Sequence, residues 1–261
     1  HARSREQVFS LVWDYSNGDP AQLERVAALA PEPKAYLARF LAQRGLGAPA
    51  LSLWDQLEPA DKQRFQGVAW WMIQELYAKG NYRQAQEIAR QIGQTNSAPE
   101  TVSNPSFEEP VFNVPQDQFS WQVLSREKGI AVDLDSQVKR SGGRSLRITF
   151  RGQNRSDLSD VYQTIVVNPE TNYVINHFFS TEGLRSPVRP ALHVVSANDN
   201  QVLGTSEMFP PDLSEWTRSS IQFRTGKNTS AVSIRTFRPA CGEQCALAGV
   251  VWYDDFELIR R

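Results

Sequence analysis

Long apolar runs are missing from this sequence of 261 residues. No stretch approaches the roughly 18 apolar residues that a membrane-spanning helix requires, so we expect a membrane anchor only in a segment upstream of this chain. A strong charge of either sign is missing too, because 28 Lys and Arg residues balance 29 Asp and Glu residues. This balance argues against nucleic acid and against an anionic membrane surface as partners.

Histidine, with three copies, and cysteine, with two, are scarce, which argues against a zinc site. The chain also lacks a Gly-x-Ser-x-Gly nucleophile motif and a glycine-rich phosphate-binding loop. Asp254 and Asp255 are adjacent in a predicted strand, so we expect them to point to opposite faces, unlike the carboxylate pair of a glycosidase. We therefore predict that the chain is not an enzyme.

The two cysteines, Cys241 and Cys245, lie four positions apart in a segment with the composition of a loop. A loop can bring their Cα atoms within disulfide range, so we predict a disulfide; two free thiols are the alternative. A disulfide indicates an oxidising compartment, and we expect a periplasmic or extracellular protein. Because the chain begins at His1 rather than Met, we also expect it to be processed or truncated.

Residues 1–95 carry apolar side chains at helical spacing. Asp19 followed by Pro20 is a helix start signal. We predict one long helix from about Ala60 to Lys79, followed by a helix that Asn81 caps. Helices of this length joined by short turns predict antiparallel pairs.

Beyond a polar linker, predicted at residues 96–105, the apolar spacing changes to the alternation of β-strands. Leu146 and Ile148, for example, lie on one strand face. Short strands separated by turns, with no helical pattern between them, predict a β-sandwich. The fold class that we predict is therefore α+β in two domains, all-α at residues 1–95 and an all-β jelly roll at residues 106–261.

The turn at residues 76–85 of the first domain has a distinctive sequence, Leu-Tyr-Ala-Lys-Gly-Asn-Tyr-Arg-Gln-Ala. It resembles the turn between the two helices of a tetratricopeptide repeat (TPR). The full signature of that repeat, about 34 residues long, does not recur cleanly. The resemblance implies TPR-like helical hairpins, and a generic helical bundle is the alternative.

Four segments of the second half carry motifs in a recognisable order: residues 104–108 (Asn-Pro-Ser-Phe-Glu), 141–148, 162–173 and 253–258 (Tyr-Asp-Asp-Phe-Glu-Leu). Together they resemble the jelly-roll carbohydrate-binding modules of the family 4/9/22 type. Pro105 and Glu170 stand where that family has glycine. The resemblance implies a sandwich whose first and last strands lie side by side.

In the modules that the chain resembles, a calcium ion ties the first strand to the last. Glu108 and Asp254 match the acidic ligands of that ion, and backbone oxygens near Ser141 would add to the six to eight or so oxygens that calcium takes. Strand parity with Phe256 predicts that Asp254 points inward near the rim of the sheet. The alternative is that Asp254 pairs with an arginine or caps a turn while Glu108 is solvated.

Side chains that suit a saccharide are predicted on an outer face of the sandwich, where aromatic rings and hydrogen-bonding groups alternate with core positions. These side chains belong to Tyr162, Asn176, Phe178, His193, Arg235 and Phe237. An apolar outer face of this kind requires an explanation. The alternative explanation is that the same face packs against the helical domain.

A TPR-like segment joined to such a module resembles architectures of bacterial cell-envelope and exopolysaccharide systems. We therefore predict a non-catalytic binding protein of the cell envelope whose sandwich binds polysaccharide, with structural Ca2+ as the implied cofactor. The alternative is a protein-interaction scaffold, in which the helical domain binds an envelope protein and the sandwich is structural.

Overall fold

The computed structural model describes residues 2–27, 30–111, 117–123, 129–153, 161–239, 241 and 245–261. Its contacts divide the chain into a helical unit, His1–Asn96, and a sandwich unit, Ser97–Arg261. In the described residues, no helix combines the length and the apolar character needed to cross a membrane.

The described part of the helical unit contains α1 (Ala2–Tyr15), α2 (Pro20–Ala27), α3 (Pro31–Gln43), α4 (Gly47–Asp55), α5 (Pro59–Arg64), α6 (Gln66–Ala78) and α7 (Tyr82–Gln91). The predicted start signal before α2 is confirmed, because the Ala21 amide donates to Asp19 Oδ1 at 2.9 Å. The single long helix predicted from Ala60 to Lys79 is wrong. The helix is interrupted at Phe65, which adopts φ −100° and ψ 21° and is 8% exposed. The break therefore turns a large apolar ring into the core.

Two helical hairpins pack side by side, since α3 contacts both α4 and α6, and α7 contacts both α6 and α4. Gly45 and Gly80, 35 positions apart in the sequence, end the first helix of each hairpin and both have φ +77°. Asn81 was predicted to cap α7, but its side chain makes no cap hydrogen bond and donates instead to the Gly45 carbonyl at 3.2 Å. A Cβ on Gly47 would lie 2.6 Å from Asn81 Oδ1, so glycine allows the two turns to approach.

The described part of the sandwich unit contains β1 (Gln122–Val123), β2 (Ile130–Asp135), β3 (Ser145–Gln153), β4 (Val161–Val166), β5 (Asn172–Arg185), β6 (Ala191–Ser196), β7 (Val202–Thr205), β8 (Leu213–Arg224), β9 (Ala231–Phe237) and β10 (Leu247–Arg260). Sheet I has the strand order β1-β4-β9-β6-β7, and sheet II has the order β2-β3-β10-β5-β8. Every described strand pair is antiparallel. The predicted β-sandwich is thus confirmed.

The core between the sheets is built from alternating side chains of both sheets, including Ile148, Ile165, Ile175, Ile234 and Val251. Alternation is the pattern expected of strands that have one face in the core and one face outside. The alternate positions, such as Tyr162 and Arg235, consequently lie on the outer faces.

The segment at residues 104–108 lies beside the end of the chain, but it is not a strand. The Phe256 amide donates to the Pro105 carbonyl at 3.0 Å, and the rings of Phe107 and Phe256 are 6.0 Å apart. The predicted proximity is therefore confirmed, while the predicted strand pairing is wrong. β10 pairs with β3 and β5 instead.

Residues 97–105, predicted to be a linker, contact the sandwich. The Glu100 amide donates to the Val166 carbonyl at 2.8 Å, and Ser103 exchanges two hydrogen bonds of 2.9 Å with the Gln163 side chain. Val102 is 5% exposed and belongs to the core cluster of the sandwich. The polar composition of this segment did not predict these contacts. Two of the three residues named, Glu100 and Ser103, make their contacts through backbone groups.

Candidate functional site

A row of polar and aromatic side chains crosses all the strands of sheet I. The register pairs Gln122 of β1 with Tyr162 of β4, Tyr162 with Arg235 of β9, Arg235 with His193 of β6, and His193 with Thr205 of β7. Residues directly opposite each other on paired strands share one face of the sheet. We call these five residues the sheet I row.

Neighbouring positions show which face carries the row. Ile165, Ile234 and Val194 belong to the core cluster, and they are separated from the row residues by an odd number of positions. The row therefore lies on the outer face of sheet I. Thr205 is exposed, while Gln122, Tyr162 and Arg235 are partly exposed, so a ligand can reach the row.

His193 and Phe237 form a stacked pair next to Arg235. Their ring centroids are 3.6 Å apart with an interplanar angle of 19°, and His193 is 6% exposed. Burial, and secondarily the positive charge of Arg235, lower the pKa of His193 to about 4. The imidazole is consequently neutral at pH 7, and its buried Nδ1 has no hydrogen-bond partner in the described part of the chain.

Burial also raises the pKa of Tyr162, so its phenol stays protonated and can donate or accept a hydrogen bond. The row thus combines an amide, a phenol, a guanidinium, a neutral imidazole and a hydroxyl. Such groups can orient the hydroxyls of a saccharide, and the Phe237 ring lies beside them. Sequence reasoning did not identify Gln122 and Thr205, because β1 and β7 are too short to show a strand pattern.

Asn176 and Phe178 do not join the row, because β5 belongs to sheet II. Asn176 donates to Glu257 Oε2 at 3.1 Å and accepts from Ser220 Oγ at 2.7 Å. The Arg140 guanidinium lies 3.5 Å from the centre of the Phe178 ring. The prediction of one six-residue patch is therefore wrong, since strand parity shows which way a side chain points but not which sheet holds the strand.

A concavity of about 390 Å3 lies over sheet II. Its described lining residues include Trp252, Val138 and Leu213. Its polar groups are largely used within the protein. Trp252 Nε1 donates to Asp135 Oδ2 at 2.9 Å, and Ser180 Oγ donates to the Leu213 carbonyl at 2.7 Å. This concavity therefore has fewer free groups for a ligand than the sheet I row.

The residues predicted to hold calcium lie around the loop at residues 139–144. Asp254 is fully buried, and its Oδ2 accepts from the Arg140 amide at 2.9 Å and the Ser141 amide at 3.2 Å. Glu108 accepts from the Gly143 amide at 2.9 and 3.0 Å. Burial, and less strongly the charge of Asp255, raise the pKa of Asp254 to about 6.

Asp254 was predicted to point inward, but it lies on the outer face of sheet II beneath this loop. The register places it beside Phe178, whereas the adjacent Tyr253 is a core residue. An irregularity between Asp254 and Glu257, with φ +49° at Asp255, shifts the parity that the sequence analysis assumed. Asp255 also faces the loop, since it accepts from Ser141 Oγ at 2.8 Å.

Calcium requires oxygen ligands, whereas the loop presents backbone N–H groups to both Glu108 and Asp254. In the described residues, no three acidic, histidine or cysteine side chains form a group that could hold a metal ion. The arrangement therefore satisfies the two carboxylates by hydrogen bonds and does not fit a calcium cage as it stands. Calcium stays a prediction that metal titration can test.

The predicted disulfide between Cys241 and Cys245 is confirmed, with Cα atoms 5.6 Å apart. Arg238, which is fully buried, ties this bridge to the segment before β6. Its Nε donates to the Val188 carbonyl at 3.0 Å, and its guanidinium also donates to Ser186 Oγ at 2.9 Å and to the Cys245 carbonyl. The bridge is therefore part of the packed end of the sandwich.

The structural neighbours of the chain include carbohydrate-binding modules (CBMs). No protein-family model matches the sequence, and no curated protein matches it significantly. The chain is similar to a CBM4 module over 61% of this chain and 99% of that one, with 15% identity and a TM-score of 0.44. It is similar to the xylan-binding CBM22-1 domain of Paenibacillus barcinonensis Xyn10C over 64% and 97%, with 14% identity and a TM-score of 0.40.

A cyclase from Fischerella sp. TAU is a further structural neighbour, over 62% of this chain and 97% of that one, with 13% identity and a TM-score of 0.42. The neighbours thus include both binding modules and an enzyme. At scores this low the likeness decides neither ligand nor activity, and function must be argued from the site itself.

Proposed function

We propose that this protein is a non-catalytic binding protein whose sandwich binds polysaccharide through the outer face of sheet I. The single observation that carries the proposal is the sheet I row, which aligns five hydrogen-bonding side chains across five strands. Neighbouring strands are about 4.8 Å apart, so the row is an extended line of contacts. A linear chain of sugar hydroxyls suits such a line.

The test is binding of the whole chain to an array of oligosaccharides, followed by calorimetry with each ligand found. We expect Tyr162→Ala to weaken binding about tenfold or more, because the phenol supplies both a ring and a hydroxyl next to Arg235 at the centre of the row. An array with no bound saccharide would contradict the proposal. Binding that survives Tyr162→Ala and His193→Ala together would place the site elsewhere.

One feature supports a role in the bacterial cell envelope or outside the cell, and two others support a TPR-like helical unit. A disulfide persists in oxidising compartments such as the periplasm, and Cys241 and Cys245 form one. The repeated turn geometry at Gly45 and Gly80 and the side-by-side packing of the α3/α4 and α6/α7 hairpins support a TPR-like helical unit. A polysaccharide or an envelope protein is accordingly the partner that we propose.

The exposed face of α1 favours a second candidate function, a protein-interaction scaffold. Val8, Leu11 and Tyr15 are 50%, 69% and 90% exposed, and they follow helical spacing along one side. Beside them lies a concavity of about 580 Å3 whose described lining includes Glu6 and Ser10. An amphipathic helix of a partner could bind such a surface.

The two functions give different results for Leu11→Glu. If the helical unit binds an envelope protein, this substitution abolishes co-purification of that partner while saccharide binding is unchanged. If saccharide binding is the only activity, no partner depends on Leu11. The matched control is Ile259→Glu, which alters an exposed apolar residue of β10 in sheet II.

A further inference from the structure

Among the described residues, Arg235 is a partly buried cation without a counter-charge. In the described part of the chain no hydrogen bond or ion pair involves its guanidinium. Two other arginines of the sandwich unit, by contrast, have carboxylate partners: Arg140 with Asp255, and Arg260 with Glu100 at 3.9 Å. Arg235 therefore differs from them in having its charge available.

The surroundings of Arg235 explain why the charge is unpaired. Within their described bounds, the five strands of sheet I contain no Asp and no Glu, and Arg235 is the only Lys or Arg that they contain. Its neighbours across the strands are Tyr162 and His193, and its neighbours along the outer face of β9 are Ser233 and Phe237. None of these can neutralise a guanidinium at pH 7.

An unpaired charge in a partly desolvated position is unfavourable unless a ligand supplies its partner. A guanidinium presents a planar set of N–H donors that binds a carboxylate through two parallel hydrogen bonds. The single cation on the described strands of sheet I matches a single carboxylate, such as that of one uronic acid in a bound saccharide. The neutral imidazole of His193 and the phenol of Tyr162 are then left to bind uncharged hydroxyls.

We propose that the sheet I row binds an acidic saccharide, a chain containing uronic acids, through a bidentate pair between Arg235 and the sugar carboxylate. This inference rests on the proposed saccharide-binding function and adds the ligand class. It also assigns the remaining row residues to sugar hydroxyls rather than to the acid group.

The experiment compares matched ligands by calorimetry on the whole chain at low and high salt. Oligomers of glucuronate, galacturonate and mannuronate are each tested beside the same oligomer after reduction of its carboxyl groups to neutral alcohols. We expect at least one acidic oligomer to bind about tenfold or more tightly than its reduced form, because the reduced form cannot pair with the guanidinium. Added salt should narrow that difference.

Two variants and a control locate the effect. Arg235→Gln should remove the preference for the acidic oligomer and its salt dependence while leaving the weaker binding of the neutral oligomer. Arg235→Lys keeps the positive charge but lacks the planar set of N–H donors, so it should retain part of the preference. It replaces Arg235→Gln as the test variant if circular dichroism shows that the Gln variant does not fold. Arg218→Gln changes an exposed arginine of sheet II and should have no effect.

Equal binding of acidic and reduced oligomers by the unmodified protein would overturn the acidic-ligand inference but keep the saccharide-binding function. Absence of binding to every oligomer, acidic or neutral, on both the array and the calorimeter would overturn both. An acidic preference that persists in Arg235→Gln or disappears in Arg218→Gln would also overturn the assignment.

Discussion

The two outer faces of the sandwich carry similar kinds of side chain but differ in how their polar groups are used. On sheet II, Asn176 bonds to Glu257 and Ser220, and Trp252 bonds to Asp135. On sheet I, Arg235 has no partner in the described residues, and His193 has an unpartnered Nδ1. The polar groups named on sheet II pair with one another, whereas among the described residues the Arg235 guanidinium of sheet I is left free for a ligand.

This difference shows that residue type alone does not mark a binding site. Phe178 and Phe237 are both aromatic residues on outer faces, yet Phe178 lies under the Arg140 guanidinium while Phe237 stacks on His193 beside the row. A buried polar group that already has its hydrogen bonds contributes to the structure. A group that lacks them is a candidate for function.

The largest expected effect is on stability and concerns the sheet II face. Asp254→Ala should lower the free energy of unfolding by about 3 kcal/mol, because the Arg140, Ser141 and Asp255 amides would lose the carboxylate that accepts their hydrogen bonds. Asp254→Asn should cost less, about 1 kcal/mol, since it keeps one carbonyl oxygen. Urea unfolding measures both values.

Asp133→Ala, at an exposed position of β2, is the control for this substitution and should change stability by no more than about 0.5 kcal/mol. Equal losses in Asp254→Ala and Asp133→Ala would show that the sheet II face is not held together by its own hydrogen bonds. The contrast between the faces would then be lost.

A second prediction compares the two phenylalanines directly. Phe237→Ala should weaken saccharide binding about tenfold, because it removes an aromatic contact beside the row and frees His193 to move. Phe178→Ala should leave binding unchanged, since Phe178 lies on the opposite sheet. Calorimetry with one saccharide measures both affinities, and the reverse result would move the site to sheet II.

The two faces should also respond to pH in opposite directions. The folded-state pKa of His193 is about 4, below its usual 6.5, so the unfolded chain binds the extra proton and stability falls as the pH falls from about 6.5 to about 4. The folded-state pKa of Asp254 is about 6, above its usual 3.8, so the folded protein holds the extra proton. Its contribution to stability therefore falls as the pH rises from about 3.8 to about 6.

Unfolding curves from pH 4.5 to pH 7 separate the two contributions. His193→Gln should reduce the loss of stability that accompanies falling pH by about 1 to 2 kcal/mol. Asp254→Asn should remove the loss of stability that accompanies rising pH. Burial also lowers the pKa of the fully buried His177, to about 3. Each variant is compared with the unmodified protein, so the contribution of His177 to the pH dependence is the same in both and cancels. Variants with the same pH dependence as the parent would refute these assignments.

The smallest expected effect is that of calcium. Because Glu108 and Asp254 already accept backbone hydrogen bonds, millimolar calcium or EDTA should shift the melting temperature by about 1 °C or less, as expected when no ion binds the folded state selectively. A calcium-dependent rise of several degrees would instead show that the loop turns its carbonyl groups toward an ion. The sheet II face would then be a metal site.

Much of the secondary structure could be predicted from local pattern. The Asp19-Pro20 start signal, the alternation of Leu146 and Ile148, and the cysteine spacing all depend on neighbours in the sequence, and all three are confirmed. The helix break at Phe65 and the irregularity at Asp255 were not predictable in this way. At Asp255 the backbone irregularity accompanies contacts with Arg140 and Ser141, more than 110 positions away in the sequence, and a local pattern cannot show such contacts.

The candidate site was predicted only in part, for the same reason. Parity correctly placed Tyr162 and Arg235 on an outer face, because alternation is a property of each strand by itself. Whether Phe178 and Phe237 share a face depends on which sheet each strand joins, and this is set by long-range pairing. The sequence by itself determined the strands, their inward and outward residues and the balance of charge; the tertiary structure alone decided which outward residues meet in one row and which find partners elsewhere.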